Sequence, residues 1–371
     1  MCRETMARIG IDASRAVSAA PTGTEAYSYH LIRALLPLLP AAEVRLYCRE
    51  QPPAAAFPGA ELRVIPFPRL WTHVRLSWEM LRHPPRVLFV PAHVLPLFRP
   101  RRTLVTLHDL GYRFFPEAHP RGQRLYLELS TRWNARVASH IVVDSVATRD
   151  ALLASYGVPA EKVTVVYPGY EADLQRVEAP EELERLRVRY GVERPYILYL
   201  GRIQPRKNLA RLVAAFGQVR TRHPDLQLVL AGPPGWFVDT VRAQVQALGL
   251  EQRVVFPGYI APEDKAALLS GAQLFAFPSL YEGFGFPVLE AQACGTPVLA
   301  AATSCLPEVA GDGALLVDPL DTEALAAGLL QLLEDPALCQ RLVARGKENL
   351  ARFSWGRAAQ QTAAILQQLA A

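Results

Sequence analysis

Two short segments in the second half of the chain concentrate residue types that bind anions and hydroxyls. The first, Gly201-Arg202-Ile203-Gln204-Pro205-Arg206-Lys207-Asn208, follows the apolar run Tyr196 to Leu200 and precedes a helical pattern starting near Leu209. A basic loop at the carboxyl end of a parallel strand stands where open α/β sheets bind ligands. Arg202, a planar fork, and Lys207, a point charge, are therefore candidates to face a diphosphate. A solvated basic loop fits the same residues equally well in isolation.

The second segment is Pro278-Ser279-Leu280-Tyr281-Glu282-Gly283-Phe284-Gly285-Phe286-Pro287-Val288-Leu289-Glu290, after the apolar run Leu274 to Ala276. Gly283 and Gly285 permit a bend close to a ligand, and Pro287 suits the first turn of a helix. The free amides of such a helix start form an anion site. Two carboxylates beside a phosphate would repel it, unless Glu282 and Glu290 accept hydrogen bonds from sugar hydroxyls, as carboxylates do for ribose in dinucleotide sites. For Glu290, a first-turn carboxylate favouring the helix dipole is the structural alternative; for Glu282 it is an exposed loop charge.

Glu282 and Glu290, separated by seven residues within Tyr-Glu-Gly-Phe-Gly-Phe-Pro-Val-Leu-Glu-Ala, resemble the signature of glycosyltransferase family 4. The resemblance extends upstream to Gly-Arg-Ile-Gln-Pro-Arg-Lys-Asn and downstream through Cys294 to Val298 and Pro307 to Gly311, nearly the whole second half. It implies the GT-B fold, two Rossmann-like domains with parallel sheets facing across a cleft. It also implies that Arg202 and Lys207 bind the donor diphosphate, that Glu282 contacts the donor sugar and that Glu290 holds the ribose hydroxyls. Backbone amides of Phe284, Gly285 and Phe286 would help hold sugar and phosphate. The family further implies transfer with retention of configuration, by front-side displacement through an oxocarbenium-like transition state.

In the first half, Thr103-Leu104-Val105-Thr106-Leu107-His108-Asp109 places a histidine and an aspartate just past a strand's carboxyl end. A structural histidine is the commoner case. The resemblance would make His108 a residue that contacts the donor sugar or orients the reaction centre, with Asp109 nearby in the acceptor pocket. Pro21-Thr22-Gly23-Thr24-Glu25-Ala26-Tyr27 resembles the family's glycine-containing loop near the diphosphate, with one glycine where many relatives have two. Gly23 and Thr24 are its candidates. Ser145, in Asp144 to Asp150, is expected to cap a helix and not to bind a ligand.

These residues need scaffolding, and the chain supplies it in a recurring form. At 371 residues it exceeds what one core usually organises. Short β-branched or leucine-rich runs alternate with helical patterns, the sequence form of parallel sheets built from βαβ units. The charged stretch Glu178 to Arg194 reads as a connecting helix at the domain boundary, giving residues 1–177 as the acceptor domain and 178–353 as the nucleotide-sugar donor domain. The family implies that the last helix, within 354–371, packs back on the first domain.

Composition narrows the partners. The net charge is +5, but the basic residues form no single tract and no RNA- or DNA-binding signature appears, so no nucleic acid is expected. Five scattered cysteines suggest neither disulfides nor a zinc site. With no Asp-x-Asp motif and no clustered ligands, no metal is expected, and no cofactor beyond the nucleotide sugar as donor substrate. Without a signal peptide or a bilayer-spanning run, the expected location is the cytoplasm.

In Arg69 to Arg82, Val74, Trp78 and Leu81 share one helical face. A basic amphipathic helix lying on the inner face of an anionic membrane would show this pattern. An ordinary core-packing helix with solvated arginines shows it too, and is commoner.

The resulting expectation is a retaining, metal-independent transferase using a GDP-mannose-type donor and a glycan or lipid-linked acceptor. The style of the sequence resembles mannosyl- and rhamnosyl-transferring members in polysaccharide assembly. A sugar-nucleotide epimerase or phosphorylase of the same fold, and a non-catalytic nucleotide-sugar-binding subunit, are the rival readings.

Overall fold

Apolar runs flanked by glycine, proline and short polar segments become thirteen strands in a computed structural model that describes residues 8–17, 23–67, 70–92, 94–193, 195–235 and 238–371. The chain divides into two compact units, residues 1–169 with 353–371, and residues 170–352. Each holds one sheet.

In the first unit the strands are β1 (Ile9–Asp12), β2 (Val44–Cys48), β3 (Glu61–Val64), β4 (Val87–Val90), β5 (Arg102–Leu107), β6 (His140–Val143) and β7 (Val163–Val165). They lie in the order β3-β2-β1-β4-β5-β6-β7 with every pairing parallel. The interior strands β1, β2 and β4 are buried throughout, as expected of a sheet covered on both faces, whereas the edge strand β3 alternates between exposed and half-buried.

The helix Trp355–Ala370 belongs to this unit. Its buried Ala358, Ala359, Ala363 and Leu366 lie on its inward face, and Trp355 stacks on His30 of the helix Gly23–Leu35 at 5.3 Å. Arg102 and Arg86 donate to the carbonyls of Leu369 and Ala371, at 2.7 and 3.0 Å, holding its carboxyl end.

The second unit contains β8 (Tyr196–Leu200), β9 (Gln227–Ala231), β10 (Val254–Gly258), β11 (Leu274–Phe277), β12 (Val298–Ala301) and β13 (Leu315–Val317), in the parallel order β10-β9-β8-β11-β12-β13. This is the Rossmann strand order, with its reversal between β8 and β11. The helix Leu209–Val219 shows why the period works: Leu209, Leu212, Val213, Phe216 and Val219 recur at helical spacing and all are buried.

One expectation about the scaffold needs correction, and one element was missed. The stretch Glu178 to Arg194 does not link the units: the division falls at 169/170, eight residues before the expected start at 178, and the helix Pro180–Tyr190 packs within the second unit. Arg185 and Arg189 each reach a carboxylate oxygen of buried Asp264 at 2.7 Å, which Tyr190 also donates to. A buried carboxylate needs such partners, and they tie the helix down. The short edge strand β13, half-buried along its length, was not anticipated from the sequence. Ser145 does cap its helix, accepting from the Thr148 amide at 3.1 Å. Among the described residues no helix is long and apolar enough to cross a membrane.

Candidate active site

The reversal point of the second sheet brings together the loops after β8 and β11. After β8 the chain makes a short 3-10 turn, Pro205–Lys207, and Asn208 takes a left-handed conformation at φ 61° before the helix Leu209–Val219 begins. Asn208 tolerates that geometry because its side chain is held on both ends: Nδ2 donates to the Pro319 carbonyl at 2.6 Å, and Oδ1 accepts from Arg211 at 2.7 Å. The Leu280 amide donates to the Arg206 carbonyl at 2.8 Å, stitching the two loops together.

At this junction Glu282 is buried between two cations. Arg206 donates to Glu282 Oε2 at 2.8 Å and to the Tyr281 carbonyl at 2.6 Å, while Lys207 Nζ donates to Glu282 Oε1. Lys207 is itself buried and lies over the Phe277 ring, 5.0 Å from its centroid. Burial alone would raise the Glu282 carboxyl, but the Arg206 and Lys207 charges and their hydrogen bonds prevail and bring it down to about 2. Glu282 is thus ionised at neutral pH, in a cluster with one surplus positive charge.

Gly285 opens the helix Phe286–Ala293 with φ 105°, a backbone that glycine adopts without the Cβ penalty. Cys305 Sγ donates to the carbonyls of Glu282 and Phe284 at 3.2 and 2.9 Å, which fixes the bend leading into that helix start. Phe284 is buried and packs edge-on to Phe286, centroids 5.0 Å apart.

Glu290 meets a different environment. Its Oε1 accepts from Lys265 at 3.0 Å, and the same ammonium lies 3.0 Å from Glu171. Burial raises the Glu290 carboxyl; Lys265 lowers it, the second carboxylate opposes that, and the net direction is upward. Arg202 is exposed, and its side chain forms no ion pair among the described residues.

In the first unit, His108 follows β5 and Asp144 follows β6, and the register Leu107↔Val143 carries these two residues side by side. Asp144 Oδ2 lies 2.6 Å from His108 Nδ1, and the Pro91 carbonyl lies 2.9 Å from Nε2. A carbonyl only accepts, so Nε2 carries a hydrogen, and a further proton sits between Nδ1 and Asp144. Burial alone would lower the imidazole, yet Asp144 holds it above its usual value. Both ring nitrogens are committed, which suits an orienting group and not a free base.

The other first-half candidates sit on local structure. Asp109 Oδ1 accepts from the Gly111 amide at 2.9 Å, starting the short helix Gly111–Phe114. Gly23 and Thr24, read from the sequence as loop residues, form the first turn of the helix Gly23–Leu35; the preceding Pro21 and Thr22 lie outside the described residues.

Sequence reasoning missed Arg206, Lys265, Glu171 and Asp144 as the groups that set the charge of the candidates. Arg206 was visible as the neighbour of Lys207, and Asp144 as the residue ending the strand next to the one that ends at His108. Lys265 and Glu171 left no local signal.

Comparison with known proteins accords with this geometry. The profile described as Glycosyl transferases group 1 matches residues 183–349, and that described as Glycosyltransferase Family 4 matches residues 21–174. The O-antigen chain mannosyltransferase B of Escherichia coli is 32% identical over 292 residues, 78% of this chain and 76% of that protein. The GDP-mannose-dependent alpha-(1-6)-phosphatidylinositol monomannoside mannosyltransferase of Mycolicibacterium smegmatis is 29% identical over 259 residues, 67% of this chain and 65% of that protein. The crystal structure of Anabaena HepE in complex with UDP-glucose matches with a TM-score of 0.75 at 21% identity, over 97% of this chain and 99% of that one, a likeness of fold. That fold is GT-B.

Proposed function

The chain belongs to glycosyltransferase family 4, and from that premise we propose a retaining, metal-independent enzyme that transfers mannose from GDP-mannose or a similar donor to a glycan or lipid-linked acceptor. The observation that carries the reading is the buried Arg206–Lys207–Glu282 cluster beside the Gly285 helix start, at the sheet's reversal point. Mannosyl transfer is favoured by the names of the two relatives, which are both mannosyltransferases.

The cluster has one cation more than it needs. When a donor diphosphate arrives, Lys207 turns toward it while Arg206 keeps Glu282 ionised and in place. Arg202, exposed on the same loop, adds a forked donor. The amides at Gly285 and Phe286 add the positive end of a helix. Together these groups stabilise the departing diphosphate, the task a metal performs elsewhere.

As the bond from the sugar's anomeric carbon to the phosphate oxygen breaks, the acceptor oxygen bonds to that carbon on the same face. Its proton passes to the leaving phosphate. Glu282 accepts hydrogen bonds from sugar hydroxyls, and Glu290 from the ribose. In the first unit, Gly23 and Thr24, in the first turn of the Gly23–Leu35 helix, are the proposed diphosphate contacts, and His108, held by Asp144, is the proposed orienting group of the reaction centre.

A thermal-shift screen of GDP-mannose against UDP-, ADP- and dTDP-sugars tests the donor. At 100 times its dissociation constant the right donor adds about 2.7 kcal/mol, which raises Tm by roughly 3–4 °C for a chain of 371 residues. No shift with any donor, or epimerised donor appearing without acceptor, would overturn the reading.

A further inference from the structure

The face of helix 72–82 that holds Val74, Trp78 and Leu81 is not packed into the core. Leu76, Ser77, Glu79 and Met80 take the buried side, and the stripe Leu70, Val74, Trp78 and Leu81 stands in solvent, from 43% exposed at Trp78 to 67% at Leu70. A second exposed stripe runs along the helix Arg121–Val137, at Leu125, Tyr126 and Leu129. His73 Nε2 lies 3.1 Å from the Tyr126 hydroxyl, so the two stripes adjoin.

Exposed Leu97 and Phe98 extend the same surface: the Leu97 amide donates to Ser77 Oγ at 3.0 Å, and the Arg99 guanidinium sits over Trp133. Of the fifteen exposed large hydrophobics among the described residues, ten lie between 70 and 129, so the apolar surface is concentrated and not scattered.

Charge concentrates there too. Residues 70–136 contain eleven arginines and four carboxylates; Arg86 and Arg102 are committed to the carboxyl end of the last helix, which leaves nine arginines against four carboxylates, a surplus of five. Glu79 is buried against Arg63, and Glu128 is occupied by Arg132 at 2.7 Å and by the Tyr156 hydroxyl at 2.8 Å. An open hollow of about 630 Å³ lies over the start of helix 121–137, lined by Arg113, Arg121, Arg124 and Arg132 around Glu128, with Leu125 at its wall. Arg121 and Arg124 form no ion pair among the described residues.

We propose that this face of the first unit docks on an anionic phospholipid bilayer, with the two apolar stripes entering the acyl boundary and the arginine hollow seating lipid phosphates. Apolar side chains beside arginines match the two layers of such a surface in both chemistry and depth. A cavity of about 480 Å³ lies at the edge of this face, its wall including Leu70, His73 and Tyr126 together with Arg15, Glu25 and Trp71. Docking therefore presents that cavity to the headgroup layer, where a lipid-linked acceptor carries its sugars. This deepens the lipid-linked option of the function proposed above.

The test is flotation of the full chain with phosphatidylcholine vesicles, with and without 30 mol% phosphatidylglycerol, in low and high salt. Binding is expected only to the anionic vesicles, weakening as salt rises. Arg121→Gln with Arg124→Gln should lower partitioning about 30-fold, at about 1 kcal/mol per arginine. Leu125→Ser with Leu129→Ser should abolish quenching of tryptophan by brominated acyl chains, and Trp78→Phe should reduce it; all three side chains are exposed, so Tm should not change. Equal binding to neutral vesicles, no binding to anionic ones, or wild-type binding by both double variants overturns the proposal. So does a dimer, seen by light scattering, that the leucine variant dissolves in the absence of vesicle binding. Flotation needs neither donor nor acceptor, so its failure leaves the transferase reading standing, and failure of the donor screen leaves this proposal standing.

Discussion

Glu282 and Glu290 stand on one short segment, the first buried and the second partly buried, and their acidities move in opposite directions. Around Glu282 two cations share one carboxylate; around Glu290 two carboxylates share one lysine. Burial pushes both carboxyls upward, so the ratio of charges decides the sign. The first cluster has positive charge to offer an anion. The second has acceptor capacity to offer hydroxyls, and the first gains some only when Lys207 turns to the diphosphate and frees a Glu282 oxygen. That division of labour suits a ligand with a diphosphate and a sugar.

The comparison can be broken by removing its members. Glu282→Gln leaves Arg206 and Lys207 buried against a neutral amide and should destabilise the protein by about 3–5 kcal/mol in chemical denaturation. A loss below about 1 kcal/mol would show that the two cations find other partners. Lys207→Ala leaves Arg206 on Glu282, and we expect turnover to fall by about 100-fold or more in a steady-state assay, with a smaller stability loss. Unchanged turnover would remove Lys207 from the diphosphate site.

Acidity sharpens the contrast. The Glu282 pKa is depressed, so its stabilisation is present above about 4.5 and is lost as pH falls toward about 2. The stability gap between wild type and Glu282→Gln should shrink across that window. The Glu290 pKa is raised, so its ionised form costs stability above the folded pKa, and the cost disappears as pH falls through it. Glu290→Gln should therefore change stability by less than about 1 kcal/mol at neutral pH, since Lys265 retains Glu171, and should compare worse as the solution is acidified. Its donor KM should rise.

The smallest effect is local to the first unit. The His108 pKa is raised, so its stabilisation is complete below about 6.5 and is lost as pH rises through the folded value. In Asp144→Asn burial is left to dominate, and an NMR titration should find the imidazole below 6.5.

Much of this was legible without coordinates. The runs Val44 to Cys48, Val87 to Val90, Tyr196 to Leu200 and Gln227 to Ala231 coincide with strands β2, β4, β8 and β9. A strand buried on both faces is mostly apolar, a property of consecutive residues, and β2 admits buried Arg45 because Glu61 pairs with it at 2.8 Å. Half-buried β13 also lies in an apolar run, Ala314 to Val317, so its signal was present in the sequence although no strand was expected there. The face of Val74, Trp78 and Leu81 shows the opposite limit: periodicity reveals that these side chains share a side, but not whether that side meets the core or solvent.

The sequence by itself determined that the chain alternates strand and helix, that it belongs with family 4, and which loops bear the basic and acidic candidates. Those facts depend on local spacing, which the chain carries in one dimension. Only the tertiary structure decided that Arg206 and Lys207 share Glu282 across 76 and 75 residues, that Lys265 divides itself between Glu171 and Glu290, and that Asp144 holds His108. Charge and acidity depend on distance and burial in three dimensions, and parallel sheets bring together residues that the sequence keeps far apart.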